Sequence, residues 1–298
     1  MGLGGDSGTM HDIANTELVI IVGANPAESH PVLATRIKRA HKLHGQKLIV
    51  SDLRKNEMAE RADLHLHAKP GTDLVWLSAV TKYIIDKGWE NREFISKHVN
   101  GFKDYVKSLD TYTLDYAEKV TGLSKAQLIE TATMIHNAKS ACILWAMGVT
   151  QHLGGTDTST AICNLLLVTG NFGRTGTGAY PLRGHNNVQG ACDFGTLPAY
   201  FPGYEPVTDD KVRARYEKAW NTELPVEHGY NNHQMVEGIR NGDLKAFTCS
   251  ARIWRLSTPI PTLWKRCSES LNFFRRAGRI LQQDGGICGR YSAGRPKP

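Results

Sequence analysis

Glu17–Gly23 reads ELVIIVG, five consecutive aliphatic residues between a glutamate and a glycine. The run is too short for an ordinary helix and shows no polar alternation. It therefore reads as a strand buried on both faces, as in a parallel sheet. The turn ANPAESHP follows, then a helical stretch LATRIKRAHKLHG closed by Gly45. KLIVSD at 47–52 repeats the buried-strand pattern, and ADLHLHA at 62–68 is a shorter third strand. Strand, helix, strand at this spacing predicts a βαβ unit, which crosses over right-handed.

Downstream, Thr72–Lys87 reads as a helix with Asp73 in its first turn. A helical region comes next (NREFISKHV, FKDYVKSL, LSKAQLIETATMIHNA), with Ser124 to Gln127 in capping-box form. SACILWAM at 140–147 is another buried strand, and TDTSTAICNLLLVTGN is a helix running into glycines. The alternation predicts an α/β fold with Rossmann-like, doubly wound sheets. The organisation expected is an α/β domain over residues 1–138, a second cofactor-binding region over 139–246 with a glycine-rich loop, and a tail over 247–298.

Charge bounds the partners. The formal charge of +7 is concentrated in the tail, where eight Arg and two Lys face one Glu and one Asp; the rest of the chain is close to neutral. A nucleic-acid surface on the main body is therefore not expected. No apolar run approaches the roughly 18 residues of a membrane span, and the N-terminus lacks a signal-peptide pattern. The six cysteines include no CxxC pair. A cytoplasmic protein with reduced thiols is the expectation.

In open parallel sheets, ligands bind beyond the carboxyl ends of the strands. After the first strand stand Asn25, Glu28 and Ser29, a capped turn or a phosphate site at a helix start. After the second stand Asp52 and Arg54, a surface pair or contacts to a ribose, a purine edge or a phosphate. After the 140–147 strand come Met147, Gly148 and Gln151, the glycine permitting close ligand approach. GNFGRTGTGAYPLRG then places five glycines within fifteen residues, a flexible loop or backbone packed against something rigid and polar. Tyr180–Gly195, YPLRGHNNVQGACDFG, gathers hydrogen-bonding groups with little bulk. In it Arg183 can hold a small carboxylate or oxyanion through two N–H groups, and His185 can move a proton or bind a cofactor. GxGxxG is absent, which argues against a nicotinamide dehydrogenase.

The segments IIVGANPAESHP, LIVSDLRK, ILWAMGVTQH, GNFGRTGTG and especially LRGHNNVQGACDFG resemble those of the molybdopterin oxidoreductases. Within that family they are similar to the catalytic (alpha) subunit of formate dehydrogenases, from about residue 6 to about residue 246. The resemblance implies the family's central α/β domains, truncated at both ends. It also implies molybdenum or tungsten held between two molybdopterin guanine dinucleotides. Arg183 then corresponds to the family's active-site arginine, which orients formate. Gly184 and His185 lie at the pterin. Asn25, Glu28, Ser29, Asp52 and Arg54 match guanosine and phosphate contacts, and Met147, Gly148 and Gln151 another cofactor segment. The implied reaction oxidises formate to carbon dioxide, passing electrons through a [4Fe-4S] centre to an acceptor subunit or protein.

The cysteines for that cluster, and the cysteine or selenocysteine that ligates the metal, have no counterpart here. Cys192 lies in the wrong place to serve, so no metal ligand is assigned and formate turnover by this chain alone is not expected. After NGDLKAF the resemblance stops. The tail reads as out-of-frame translation: one permissible recoding of GGICGRYSAGRPKP, shifted by a base, gives AEYADVILPAAQSL, similar to the family's next strand. A basic tail that binds an acidic partner or nucleic acid is the other reading of it. For the whole chain, a non-catalytic cofactor-binding module, a truncated product without function and a family member with another substrate remain open.

Overall fold

All five residues of β1 (Leu18–Val22) are buried, because both of its edges and both of its faces are covered. The computed structural model describes residues 5–185 and 187–250, with backbone alone at 247–250, 273–277, 280–281 and 287–288. Before β1 lies α1 (Met10–Asn15), whose N-cap Thr9 forms a capping box with Asp12. After it come α2 (Pro26–Ser29) and α3 (Pro31–His44). Pro31 starts α3, where a missing N–H costs nothing, and Gly45 stops it at φ 71°. Leu33, Ala34, Ile37 and Ala40 form its buried stripe. Burying a side chain such as Ile37 stabilises by about 1.5–3 kcal/mol.

The chain then runs through β2 (Lys47–Ser51), α4 (Glu57–Arg61, capped by Asn56) and β3 (Leu64–Leu66). A helical stretch follows: α5 (Asp73–Asp86), α6 (Arg92–His98), α7 (Phe102–Ser108), α8 (Leu114–Thr121) and α9 (Lys125–Asn137). The expected capping box of Ser124 and Gln127 opens α9. Next are β4 (Ala141–Trp145), α10 (Met147–Thr150), α11 (Gly155–Val168), β5 (Gly178–Pro181) and α12 (Val188–Asp193).

The strands β3-β2-β1-β4-β5 form one parallel sheet, with Leu18 in register with both Lys47 and Ala141. Strand periodicity sorts β1 between two cores. Leu18, Ile20 and Val22 join α5, α8, α9 and α11 on one face, while Val19 and Ile21 join α1, α3 and α4 on the other. Helices thus cover both faces, the doubly wound α/β architecture expected. β5 was not expected: it lies inside the glycine-rich stretch. It pairs with β4 from Cys142↔Gly178 to Trp145↔Pro181.

The chain separates into one compact unit ending at Gln189 and a second beginning at Gly190. β4, beyond residue 138, is hydrogen-bonded to β1 within the first unit. In the second unit, β6 (Tyr200–Phe201) and β7 (Glu205–Pro206) form an antiparallel pair. Phe201 stacks on Tyr216 of α13 (Asp210–Trp220) at 4.7 Å between ring centres. α14 (Asn232–Asn241) leads to β8 (Ala246–Ser250), which pairs in parallel with β9 (Phe273–Ala277). β10 (Ile280–Leu281) and β11 (Ile287–Cys288) pair antiparallel. Beyond these strand backbones, the expectations for the tail at 247–298 lie outside the described residues.

Candidate cofactor site at the carboxyl edge of the sheet

From β1 the chain steps outward through β2 to β3, then returns to β4 on the other side of β1 and continues outward to β5. The reversal leaves a crevice beyond the carboxyl ends of β1 and β4, the usual ligand position in such sheets. Its floor is a pair of glycines. Gly148 N–H donates to Gly23 O at 3.2 Å. A Cβ on Gly148 would stand 2.5 Å from that oxygen, and one on Gly23 would stand 2.9 Å from the Gly148 carbonyl carbon. Gly148 therefore serves the close approach of two chain segments.

Over this floor lies a cavity of about 380 Å³, lined by Asn25, Asp52, Arg54, Lys69, Asp73 and His152 among others. Asn25 precedes α2 yet makes no side-chain cap, and its Oδ1 is buried without a hydrogen-bond partner among the described residues. A buried acceptor left open in a cavity calls for a donor from a ligand or water. Asp52 accepts from Arg54 N–H at 2.8 Å, which fixes the turn after β2. Asp73 accepts from the Trp76 indole at 3.0 Å and the Ser51 hydroxyl at 3.4 Å. Burial pushes the Asp73 carboxyl above its ordinary range, against the opposing effects of those bonds and of His152. His152 is itself held through its ring to Gly148 O at 2.7 Å.

The donor set fits the nucleotide end of a cofactor. Carboxylates suit the N–H groups of a base and the hydroxyls of a ribose, while Arg54 and Lys69 suit phosphate. Asn25, Asp52, Arg54 and Gly148 are brought together around this cavity. Lys69 and His152 were not singled out, and Asp73 was read only as an acid in the first turn of a helix. Extending the strand-end argument to the third strand would have reached Lys69 and Asp73, which follow β3 directly.

The other candidates lie elsewhere. Glu28 is exposed. The Ser29 hydroxyl is committed to Asn25 O at 3.0 Å and to the His30 ring at 2.8 Å. Met147 is exposed, with the Gln151 amide against its sulfur, and neither lines the cavity. Gly184 and His185 are exposed. Arg183 lines a second cavity of about 380 Å³ with Asp6 and His30. The His30 ring reaches Arg183 O at 2.7 Å, tying the start of α3 to the chain leaving β5. Cys192 is buried on α12, and no group of three His, Cys, Asp or Glu among the described residues could hold a metal ion.

A family model for the molybdopterin oxidoreductases matches residues 5–254. The chain belongs to the molybdopterin oxidoreductase family. Among curated proteins it is similar to YrhE of Bacillus subtilis, named provisionally as a formate dehydrogenase, with 64% identity over 246 residues. YjgC of the same organism, named as an oxidoreductase, is 60% identical. A Staphylococcus haemolyticus protein with the same provisional formate dehydrogenase name is 55% identical. These matches cover 83% of this chain and 25% of each relative, so it spans about a quarter of their length. Among solved structures, acetylene hydratase from Pelobacter acetylenicus superposes with a TM-score of 0.68 at 17% identity. That match covers 90% of this chain and 41% of the hydratase, a likeness of fold alone. No helix among the described residues of this molybdopterin oxidoreductase chain is long and apolar enough to cross a membrane.

Proposed function

We propose that this chain is the guanosine-binding and anion-orienting part of a molybdopterin-dependent formate dehydrogenase. The observation that carries the reading is the switch-point cavity, with an open buried acceptor at Asn25 and two carboxylates and two cations around it. Guanine presents adjacent N–H donors on one edge, and the Asp73 carboxylate is the acceptor that matches them. Asp52 would accept from a ribose hydroxyl, and Arg54 and Lys69 would pair with phosphate. That chemistry is the nucleotide end of a molybdopterin guanine dinucleotide, two of which would hold molybdenum or tungsten.

When bound, the metal–pterin group supplies the two-electron redox chemistry. The residues of this chain hold it by its nucleotide and present Arg183 to the substrate. A guanidinium donates two parallel N–H bonds to a carboxylate, fixing formate by its oxygens and leaving its C–H outward. The overall conversion is formate to carbon dioxide, one proton and two electrons. A [4Fe-4S] centre and an acceptor protein or subunit would take the electrons in a cytoplasmic enzyme. High identity to relatives with formate dehydrogenase names supports that substrate.

The test is guanosine monophosphate binding to the full chain by titration calorimetry, together with acid release of guanine nucleotide from protein purified from its own cells. Binding that Asp52→Ala weakens is the expected result. Binding unchanged in Asp52→Ala removes Asp52 from the site, and no binding at all refutes the reading.

A further inference from the structure

The second cavity holds a charge that the reaction as proposed does not use. The chain before α1 lies along β5 as a strap. Ser7 N–H donates to Ala179 O at 3.1 Å, and the Ser7 hydroxyl accepts from Ala179 N–H at 2.7 Å. Glycines on both partners make room for this contact. A Cβ on Gly178 would collide with the Ser7 hydroxyl, and one on Gly8 with the Tyr180 hydroxyl. The strap therefore has a fixed register on β5, and that register sets Asp6 into the cavity of Arg183 and His30.

The rest of the cavity wall is mostly apolar, including Met10, Ile13, Leu33 and Leu182. The titratable groups facing Asp6 are Arg183 and Tyr180 from β5 and its continuation, and His30 from the turn into α3. Asp12, in the first turn of α1, is occupied by the Thr9 amide at 2.9 Å and hydroxyl at 2.8 Å. Among the described residues, no other Asp, Glu, Lys or Arg lines the cavity. One carboxylate and one guanidinium thus share a largely apolar recess with a histidine.

We propose that Asp6 is the resident counter-anion of the Arg183 site, and that a small carboxylate entering there displaces its charge with proton uptake at Asp6. The inference rests on Arg183 being the anion seat. A second anion beside Asp6 is repelled by it, and the repulsion is relieved when the carboxyl takes a proton from solvent. Partial burial already holds the Asp6 carboxyl above its ordinary range, against the pull of Arg183 and His30. Asp6 acts through Arg183 and is a positioning residue.

The experiment measures formate binding to the full chain by calorimetry at pH 8, 6 and 4.5, in buffers of different ionisation enthalpy. At pH 8, Asp6→Asn is expected to bind formate about fivefold more tightly than wild type, the order expected for one like charge beside an ion site. The ratio should fall toward one at pH 4.5. Proton uptake on binding should be larger in wild type than in the variant. Equal affinity at all three pH values, or equal proton uptake, overturns the role of Asp6, as does absence of formate binding in both proteins. Formate binding that survives in Arg183→Gln shows instead that the anion sits elsewhere, which sinks the reading of Arg183 itself.

Discussion

Asp73 separates a structural from a ligand-binding role, because the two make opposite demands on it. Its carboxyl is raised by burial. A carboxyl raised in the folded state favours folding below its unfolded value of about 3.8 and loses that contribution as pH climbs through the folded value. At pH 7 the buried charge is a cost to the fold. Asp73→Asn keeps an acceptor for Trp76 and is expected to hold or raise the thermal midpoint at pH 7, and to flatten the change in stability with pH on the acid side. The same variant should bind guanosine monophosphate about ten- to hundredfold more weakly, since charge-assisted hydrogen bonds contribute about 1.5–3 kcal/mol. A lowered midpoint with unchanged binding would make Asp73 a structural residue. At Arg183 the discriminating readout is metal content. In an intact enzyme carrying this segment, Arg183→Lys is expected to lose roughly a hundredfold in formate turnover, as losing a preorganised donor does, while molybdenum or tungsten content holds. Loss of the metal along with activity would instead place Arg183 in the scaffold.

At the scale of elements, the glycine pair under the cavity is where packing and site depend on one another. Gly148→Ala puts a Cβ 2.5 Å from the Gly23 carbonyl oxygen, so β1 and α10 must separate. Overpacking of that kind costs about 1–3 kcal/mol, and a drop of several degrees in the thermal midpoint is the expected measurement. An unchanged midpoint would mean that the two segments yield easily. The contrast with β5 explains what the sequence displays. β1, β2 and β4 were legible as unbroken aliphatic runs because a central parallel strand is apolar on both faces, and α3 and α9 announced their ends through Gly45 and Ser124. β5 is Gly178-Ala179-Tyr180-Pro181, which has no β-branched residue. It is a strand because β4 lies on one side and Ser7 on the other, partners 36 and 172 residues away. The site divides in the same way. Asp52 and Arg54 were legible as polar residues ending a buried run, whereas the role of Asp73 depends on α5 bringing it beside Ser51 and His152.

For the whole molecule, the division after Gln189 decides where the proposed chemistry can live. Both cavities lie in the first unit, as do all five strands of the parallel sheet and both hydrophobic cores. Every hydrogen bond described for Asp52, Asp73, His152 and His30 ends within that unit too. The Gln189 amide lies against Gly5, so a cut after this residue keeps the strap's neighbour in place. A chain ending at Gln189 should therefore unfold in a single cooperative transition, as a single compact unit does when no part of it is stable alone. It should bind guanosine monophosphate within about twofold of the full 298-residue chain, the tolerance expected between sites that share no partners. The basic tail provides the control. Affinity carried by its scattered arginines would be lost on truncation and would weaken steeply with salt, as binding by exposed charge does. Affinity carried by the cavity would survive truncation and depend on Asp73. If the shorter chain folds cooperatively but does not bind, the nucleotide site draws on residues beyond 189 and the switch-point cavity is not sufficient for it.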